Sequence, residues 1–568
     1  MKTPTFTNPL STLALAIIAL LATQAAKAAN GTWNQNADGN WNISNHWKSG
    51  TVASGSGFTA DFSTLALTAD RTVALTADTT IGNLIFDDVN GAFGWQITGS
   101  KFTLAGNSPT INAISTVDIG SQIAGTSGLT KAGSGSLILS NTNTYSGGTT
   151  ILDGTLKLNN TGSPPVGNVL IDATGILDLN NRNVAISGLS GSGTVNGAVD
   201  FVYNLSVGNN DASSAFSGVI ETKIGLQKVG NGTLTLTGAS TYSGPTTISA
   251  GTLSITTIKN GTTASSLGKS SIYAGNLVFD GGTLQYTGAT SSTNRNYTIT
   301  DGKVATIDVS TSDSNLTISG ASVATSGGLT KIGNGTLTLT GTNLNTGATN
   351  VNAGSLLING DNSAATGNVT VDSGATLGGT GTVGGATTIN SGGIHAPGAS
   401  PGAIGTQTFS GALTYNSGST FKWDLSGTSL ANPGDTNNQG SYDEVVAGGT
   451  LSVIRGAIFE VDLAGLSDNG SFTGSFWDSH RTWSHVFTGA GVTSMDGTLF
   501  GFGGSDGNGM TVASDGYVAG EGRFYFTGST LNWDVGGFTP IPEPGTWMAL
   551  GCLVGSGLCL RCRRRAAC

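Results

Sequence analysis

The feature that most constrains the fold of this chain is a segment that recurs three times with the same internal spacing. The residues GLTK at 128–131 return as GLQK at 225–228 and as GLTK at 328–331. Each copy continues with a Gly-x-Gly turn and an alternating apolar run. Each then resumes, at the same offset from its first glycine, with Gly-Thr-Leu at 154–156 and 251–253 or Gly-Ser-Leu at 354–356. Such internal repetition indicates one supersecondary unit that is used several times.

The middle of the repeat is shared by the first two copies. Tyr-Ser-Gly stands at 145–147 and 242–244, at the same offset from the first glycine, and Thr-Thr-Ile follows it in both copies. In the third copy Asn345 replaces the tyrosine, and Thr-Asn-Val at 349–351 replaces Thr-Thr-Ile. The third copy therefore departs from the pattern at its centre and keeps both ends.

The runs Thr-Leu-Thr-Leu at 233–236 and 336–339 alternate with period two, which places leucines on one face of a strand and threonines on the other. The glycines and Asn-Gly pairs between such runs allow the positive φ of sharp corners. Short strands joined this way form either hairpins or the coils of a parallel β-helix. Repeats that cannot bury their own apolar face favour stacked coils, with β-sandwich modules or a meander as the alternative.

Composition excludes other classes of fold. Glycine supplies 90 of the 568 residues and proline only 12. Each glycine inside a helix costs about 1 kcal/mol relative to alanine, and a collagen triple helix needs abundant proline and glycine at every third position. Hydrophobic residues make up 37% of the chain, and their alternating runs can bury surface, which argues against disorder.

The repeated units resemble the autotransporter-associated β-strand repeat, whose form is G-L-x-K-x-G-x-G-x-L-x-L, then Y-x-G-x-T-x-I, then G-x-L. The resemblance covers residues 126–410 and includes 374–402, which is similar to the piece that follows such repeats in passenger domains. It implies a right-handed parallel β-helix on the cell exterior. A translocator barrel would need repeated amphipathic strands at the C-terminus, where an arginine-rich segment stands instead, so we interpret the chain as a passenger-like body on a different export route.

We therefore predict an all-β fold, a right-handed parallel β-helix (β-solenoid) with β-rich N- and C-terminal caps. The predicted domains are a signal peptide at 1–28, an N-terminal β region or cap at 29–125, the β-helix at 126–410, a C-terminal β-rich region at 411–538 and a sorting signal at 539–568.

The N-terminus has the pattern of a secretory signal peptide. Lys2 precedes an apolar core at 10–22, and Ala-Lys-Ala at 26–28 provides a cleavage site between Ala28 and Ala29. The alternative is an N-terminal membrane anchor, but the apolar core is short for a span of about 20 residues.

The C-terminus combines three elements in order. Pro542, Glu543 and Pro544 precede an apolar run at 547–560, and four arginines follow the run. This pattern resembles the PEP-CTERM sorting signal, which implies recognition by an exosortase, removal of the tail and an inner-membrane-anchored precursor. An ordinary single-pass anchor with a basic stop is the alternative. The arginines of the basic stop are Arg561, Arg563, Arg564 and Arg565.

The charge of the chain limits its partners. The net charge is −10, from 23 Lys and Arg against 33 Asp and Glu, and six of the basic residues lie in the two terminal signals, which leaves the body more acidic. An acidic body lacks a surface that neutralises phosphates, so nucleic-acid binding is not expected. All four cysteines lie between Cys552 and Cys568, so the body has no cysteine-based zinc or redox site.

Aromatic residues mark both flanking regions. Trp33, Trp41 and Trp47 stand close together after the signal peptide, where they either stack on a sugar ring or cover the open end of the first coil. We favour the cap. The aromatic-rich residues 411–538 are interpreted as a C-terminal β-rich cap or small β domain.

The chain contains sequence patterns that are typical of nucleotide-binding and acyl-transfer sites. In a chain so rich in glycine, such patterns are expected by chance. The G-x-G-x-x-G pattern at 379–384 has no helix after it to bind a phosphate. The G-x-S-x-G patterns around Ser400 and Ser505 lack a strand, elbow and helix, and Pro401 blocks the first.

Metal sites have weak candidates. Asp478, His480 and His485 match no zinc spacing, so we interpret them as a solvated loop. Five acidic residues lie near glycine and asparagine turns and offer oxygen ligands for Ca²⁺, although turn chemistry explains them better. Those five are Asp435, Asp443, Glu444, Asp506 and Asp515.

The sequence thus predicts a non-enzymatic β-solenoid with a structural or adhesive role at the cell surface, outer envelope or extracellular matrix, without a cofactor unless Ca²⁺ binds. Its expected partners are the secretion machinery, an exosortase and the inner membrane transiently, with extracellular polysaccharide as a further candidate. The alternative is a polysaccharide-binding or polysaccharide-degrading β-helix, which predicts a groove lined by carboxylates and aromatic side chains.

Overall fold

The computed structural model describes residues 28–159, 167–197, 200–425, 442–463, 475–478, 480–492, 500–505, 511–519 and 521–535. These residues form short β-strands joined by turns, with five short 3-10 helices at Ser44–His46, Lys48–Gly50, Asn209–Asp211, Ala274–Asn276 and Ser475–Asp478. The chain divides into two compact units, with the boundary between Val323 and Ala324.

The first unit contains the strands β1 to β30 among its described residues. They are β1 (Gly31–Thr32), β2 (Gly39–Asn40), β3 (Gly55–Phe62), β4 (Arg71–Leu75), β5 (Thr79–Phe86), β6 (Trp95–Gly99), β7 (Phe102–Leu104), β8 (Thr110–Ala113), β9 (Val117–Ile119), β10 (Ile123–Ala124), β11 (Leu129–Ala132), β12 (Ser136–Leu139), β13 (Thr149–Leu158), β14 (Val169–Asp178), β15 (Val184–Ile186), β16 (Leu189–Gly191), β17 (Thr194–Asn196), β18 (Tyr203–Val207), β19 (Ser214–Phe216), β20 (Val219–Ile220), β21 (Ile224–Lys228), β22 (Thr233–Leu236), β23 (Thr246–Ile248), β24 (Thr252–Ile255), β25 (Leu277–Phe279), β26 (Thr283–Tyr286), β27 (Ser291–Thr293), β28 (Thr298–Ile299), β29 (Val304–Val309) and β30 (Asn315–Ile318).

The second unit contains the remaining strands. They are β31 (Gly328–Ile332), β32 (Thr336–Leu339), β33 (Thr349–Val351), β34 (Gly354–Ile358), β35 (Asp361–Asn362), β36 (Val369–Val371), β37 (Ala375–Gly379), β38 (Thr382–Val383), β39 (Thr387–Ile389), β40 (Ile394–Pro397), β41 (Thr406–Phe409), β42 (Leu413–Tyr415), β43 (Thr420–Asp424), β44 (Glu444–Ala447), β45 (Leu451–Val453), β46 (Ala457–Asp462), β47 (Arg481–Trp483), β48 (Phe487–Thr488), β49 (Phe500–Ser505), β50 (Tyr517–Val518), β51 (Gly522–Thr527) and β52 (Thr530–Val535).

Strands pair in parallel with the coil before and the coil after, which confirms the predicted all-β solenoid in both units. In all three repeat copies the GLxK strand pairs with the Thr-Thr-Ile or Thr-Asn-Val strand, and the LxL strand pairs with the strand that resumes at Gly-Thr-Leu or Gly-Ser-Leu. One repeat therefore contributes a coil and the beginning of the next. The paired residues are Leu129 with Thr149, Leu226 with Thr246, Leu329 with Thr349, Leu137 with Leu156, Leu234 with Leu253, and Leu337 with Leu356.

This register places leucine side chains of successive coils on top of one another in the interior. Leu234, Leu253 and Leu284 follow one another on successive coils and are buried, while Thr233, Thr252 and Thr283 beside them are partly exposed. Because the side-chain period of a strand is two, a slip of one residue would turn the whole leucine column outward. Burial of the column selects the register.

Parallel pairing extends beyond the segment that resembles the passenger repeats. In the first unit it already joins β4 to β6 and β6 to β9, within residues 29–125. In the second unit three ladders run side by side, and they continue through β44, β45 and β46. An antiparallel sheet of β47, β52, β51 and β50 follows.

Glycine is required at the corner that starts the last strand of each repeat. Gly251 has φ of 59°, and a Cβ atom there would overlap the carbonyl oxygens of Gly230 and Gly232 on the preceding coil. Gly154 and Gly354 have the same conformation and the same neighbours in their own copies. The Gly-x-Gly turn and the glycine that begins the Gly-Thr-Leu or Gly-Ser-Leu segment therefore stack on each other.

Candidate functional site

The repeat encloses a buried lysine at the end of the GLxK strand. Lys228 has no solvent exposure, and its Nζ donates to the carbonyl oxygens of Val229 at 2.6 Å, Gly230 at 2.7 Å and Ala250 at 3.2 Å. Val229 and Gly230 form the corner of the same coil, and Ala250 belongs to the next coil. The ammonium thus satisfies three carbonyls at two stacked corners, which turns would otherwise leave unpaired.

The other two copies repeat this lysine clamp. Lys131 Nζ donates to Ala132 O at 2.9 Å, Gly133 O at 2.6 Å and Asp153 O at 3.0 Å. Lys331 makes the corresponding bonds to Ile332, Gly333 and Ala353, at 2.8, 2.8 and 3.2 Å. Buried lysines are rare in proteins. The three hydrogen bonds that each ammonium donates to corner carbonyls explain why the repeat contains lysine at this position.

Burial lowers the pKa of both Lys131 and Lys228 to about 8, while the charges of Asp153 and Asp211, respectively, act in the opposite direction. At neutral pH both ammonium groups therefore carry the three hydrogens that the clamp uses.

The tyrosine of the repeat forms a second buried contact. The hydroxyl of Tyr145 lies 2.8 Å from Thr149 Oγ1, and that of Tyr242 lies 2.7 Å from Thr246 Oγ1. Both phenols are completely buried, which raises the pKa of Tyr242 to about 12 and that of Tyr145 further. The spacing of Tyr-Ser-Gly and Thr-Thr-Ile thus reflects a hydrogen bond inside one coil.

In the third copy an amide side chain occupies the buried position of the tyrosine. Asn345 is also buried, and its Nδ2 donates to the carbonyl oxygen of Gly327 at 3.2 Å. The buried polar side chain at this position thus donates to a backbone carbonyl of the preceding coil.

The outer faces carry rows of hydroxyl side chains. In the first unit, Thr233, Thr252, Thr283 and Thr306 occupy one register position on four successive coils. In the second unit, Thr370, Thr388, Thr414 and Ser452 do the same. Neighbouring rungs are about 4.8 Å apart, so each row presents donors and acceptors at a regular spacing.

The three N-terminal tryptophans are buried at no more than 1% exposure. Trp47 packs edge-to-face against Trp33 and Trp41 at 5.1 and 5.0 Å, and Phe62 touches all three rings. Their faces are covered by each other, so none is available to stack on a sugar. The arrangement is that of a plug of aromatic rings at the first coils.

The acidic candidates for Ca²⁺ act as turn and coil acceptors. Asp443 Oδ1 accepts from the Gly405 N–H at 2.9 Å and its Oδ2 from the Asp424 N–H at 3.0 Å. Glu444 accepts from the Thr406 hydroxyl, and Asp515 from the Tyr517 N–H. Burial raises the pKa of Asp443 to about 8 and that of Asp424 to about 6. Asp435 and Asp506 lie outside the described residues.

The histidines are dispersed. His480 Nδ1 pairs with Asp534, and His485 Nδ1 lies 3.0 Å from Ser484 Oγ. His46 contacts the edge of Trp33. In the part of the chain that the structure describes, no three His, Cys, Asp or Glu side chains are grouped closely enough to hold a metal ion.

His395, which the sequence did not distinguish, lies in the core of the second unit with no exposure. Its Nε2 is 2.9 Å from Gln407 Oε1 and its Nδ1 is 2.6 Å from the Tyr415 hydroxyl. Gln407 uses its own Nε2 to donate to the Gly378 carbonyl, so its Oε1 accepts. The imidazole therefore carries its hydrogen on Nε2, and burial lowers its pKa to about 4.

The glycine-rich and serine motifs lie at corners of the solenoid. The G-x-G-x-x-G residues 379–384 span the end of β37, the strand β38 and the turn after it, and Ser400 lies in the turn between β40 and β41. Ser505 ends β49. None of these three positions directly precedes a helix in the described residues.

The predicted targeting residues are only partly described. Ala28 is exposed, and Ala29 forms a bridge with Ser54. The sorting motif Pro542–Pro544 and the arginines at 561 and 563–565 lie outside the described residues, as do the apolar runs at 10–22 and 547–560. Within the described residues, no helix has both the length and the apolar character needed to cross a membrane.

The described residues form a parallel solenoid in which the lysine clamp occurs three times. The passenger-associated-transport-repeat family model matches residues 129–158, 226–255 and 329–358, the three segments that contain the lysine clamps. The adhesin BmaC autotransporter of Brucella suis biovar 1 (strain 1330) is 37% identical over 211 residues, which cover 36% of this chain. The chain spans only 6% of that relative's length. No solved structure matches the chain.

Proposed function

We propose that this protein is exported and acts at the cell surface, in the outer envelope or in the extracellular matrix as a structural and adhesive β-solenoid. The observation that carries the proposal is the lysine clamp, which recurs in three coils that match passenger-associated transport repeats. The resemblance to passenger repeats implies a position on the cell exterior, and the relative that is similar over 211 residues is named an adhesin.

The surface of the solenoid supports an adhesive role. Rows of threonine hydroxyls repeat on successive coils, and charged residues make up only 10% of the chain. A long face of regularly spaced hydrogen-bonding groups suits many weak contacts with a repetitive surface or polymer, whose effect is combined by multivalency.

Adhesion is tested by deleting the gene in its native cells and measuring attachment to surfaces and to other cells. Complementation with the intact gene is expected to restore attachment. A complemented strain and a deletion strain that attach equally would contradict the adhesive role, and a normal matrix in the deletion strain would contradict the structural one.

The export route is the finer part of the proposal. Cleavage between Ala28 and Ala29 would release the mature chain, and an exosortase would act at the Pro542–Pro544 motif on a precursor held in the inner membrane. The test replaces Pro542, Glu543 and Pro544 together by alanine and follows the protein by cell fractionation. Accumulation of a membrane-bound precursor is expected. Replacement of the neighbouring Pro540 is the matched control, and unchanged processing of the triple variant would refute sorting by this motif.

We further propose that the chain has no catalytic role and needs no cofactor, because the buried polar groups described above bind backbone and neighbouring side chains. Release of reducing ends from any polysaccharide by the purified chain would contradict the proposal that the chain has no catalytic role, and would support the polysaccharide-degrading alternative. A lower thermal midpoint in the presence of a calcium chelator would reveal a Ca²⁺ site.

A further inference from the structure

A groove of about 720 Å³ opens on the surface of the first unit, well within the size range of small-molecule sites. Its floor is a column of outward side chains in register on three successive coils, Thr72, Gln96 and Asp118. Two loops line it as well, one at 91–94 that includes Phe93 and one at 114–116 that includes Ile114.

The Phe93 loop is held by a buried carboxylate. Asp88 is 2% exposed and accepts hydrogen bonds from the backbone N–H groups of Leu67, Ala92, Phe93 and Asn90, at 2.7, 2.8, 3.0 and 3.3 Å. Burial acts to raise the pKa of Asp88, and these four donors bring it below its ordinary value. The carboxylate stays ionised, so the loop is fixed and Phe93 remains 37% exposed without having to be ordered by a ligand.

The polar groups of the groove are also positioned in advance. Asp118 Oδ1 accepts from the Ser140 hydroxyl at 2.6 Å, and Asp70 Oδ1 accepts from the Gly94 N–H at 2.8 Å. Gln96 Oε1 accepts from the Thr72 hydroxyl at 3.2 Å, which leaves its amide hydrogens to face outward. The buried hydroxyl of Ser115, which lines the groove, has no hydrogen-bond partner among the described residues.

These groups fit one class of ligand. The exposed ring of Phe93 and the aliphatic side chain of Ile114 offer an apolar contact, and the amide, carboxylate and hydroxyl groups offer donors and acceptors. A pyranose ring has the same division, with C–H groups on its face and hydroxyls on its edge. Three aspartates and no lysine or arginine are among the lining residues, so a polymer of uronic acids would be repelled.

We propose that this groove binds a segment of a neutral polysaccharide, with Phe93 against a sugar face and Asp70, Gln96 and Asp118 hydrogen-bonded to its hydroxyls. The inference rests on the proposed function only in that it names a ligand class for adhesion. It is a binding site, and no bond of the polysaccharide is broken there.

The test uses the purified full chain in affinity electrophoresis. The gels contain laminarin, dextran, soluble N-acetylglucosamine oligomers or polygalacturonate. Retardation by at least one neutral polymer and by no polygalacturonate is expected. Phe93→Ala is expected to weaken binding about tenfold, since a lost stacking contact of this kind is worth about 1.4 kcal/mol. Tyr273→Ala removes a ring that is 72% exposed elsewhere in the same unit and is the matched control.

A second variant separates binding from folding. Asp118→Asn keeps the shape of the groove and an acceptor for Ser140, and it is expected to weaken binding while leaving the thermal midpoint unchanged. The proposal is overturned if no neutral polymer retards the chain, if polygalacturonate alone does, or if Phe93→Ala and Tyr273→Ala bind alike. Attachment of cells that survives in a Phe93→Ala strain would leave the adhesive function standing without this groove, so the two failures are distinguishable.

Discussion

The ammonium nitrogen of Lys228 lies 2.7 Å from the carbonyl oxygen of Gly230 and donates a hydrogen bond to it across the corner that follows β21. The same ammonium reaches Ala250 on the next coil, so a single side chain connects two stacked corners. Lys131 and Lys331 do the same in the other copies. The glycine corners of the repeat and its lysine are therefore parts of one structural device.

Removal of this ammonium should destabilise the first unit. Lys228→Met keeps most of the aliphatic stem but leaves three buried carbonyls without a donor, and we expect a loss on the order of 3 kcal/mol. The midpoint of chemical denaturation measures it. Lys223→Met is the control, because Lys223 is exposed and its ammonium donates to the Asp200 carbonyl at the surface. Equal midpoints for the two variants would show that the clamp contributes nothing.

The buried Tyr242–Thr246 pair should behave as one unit. Tyr242→Phe and Thr246→Val each remove the same hydrogen bond and leave one buried hydroxyl unpaired, at a cost of about 1 kcal/mol. A double-mutant cycle on thermal stability is expected to show that the combined variant loses less than the sum of the two. Strictly additive losses would contradict the pairing, and Tyr273→Phe on the exposed surface controls for removal of a phenol.

His395 should contribute a loss of stability to the second unit in weak acid, opposite in sign to the contributions of Asp443 and Asp424, whose raised pKa values make the folded state bind more protons. In the folded chain the imidazole stays neutral until about pH 4, whereas in the unfolded chain it takes up a proton near pH 6.5. As the pH falls from 6.5 to 4 the imidazole takes up its proton first in the unfolded chain, so the contribution of His395 to stability falls by up to about 3 kcal/mol.

The measurement is the denaturation midpoint across this pH window. His395→Gln should remove this contribution, so that the midpoint of the variant rises relative to that of the wild type as the pH falls from 6.5 to 4, although the substitution lowers stability at neutral pH by disturbing Tyr415 and Gln407. His485→Gln, in the same unit, is the matched control. A wild-type slope retained in His395→Gln would assign the acid sensitivity to other groups.

The aromatic plug should govern the integrity of the first coils. Trp47→Ala removes a ring that contacts Trp33, Trp41 and Phe62 and a hydrogen bond of 2.7 Å from its Nε1 to the Trp41 carbonyl. We expect a cost of about 3–5 kcal/mol and faster amide hydrogen exchange across strands β1 to β3. Ile43→Ala, at an exposed position of the same segment, should leave exchange unchanged, and equal protection in both variants would argue against the plug.

Much of the fold follows from local patterns. The alternation of leucine and threonine at 233–236 sets the faces of a strand, and Gly251 marks a corner that no other residue can occupy without overlap with Gly230 and Gly232. Three copies with one spacing then require that coils stack, because a single copy cannot bury its leucines. The parallel solenoid was predictable for this reason.

Tertiary structure decided what the charged and polar residues do. The partners of Lys228 and Asp443 include backbone atoms 22 and 38 residues away, and the groove column of Thr72, Gln96 and Asp118 forms only when three coils lie in register. A repeated motif could have indicated that the lysine matters, but not that it is buried.

The sequence by itself thus determined the strands, the corners and the repeated coil, since these depend on side-chain period and on the conformational freedom of glycine at neighbouring positions. Only the tertiary structure decided that the lysines bind carbonyls inside the core, that the tryptophans cover one another and that Phe93 stands beside a column of polar side chains. Those relationships depend on the length of each coil, which sets which residues meet across the spacing of about 4.8 Å between rungs.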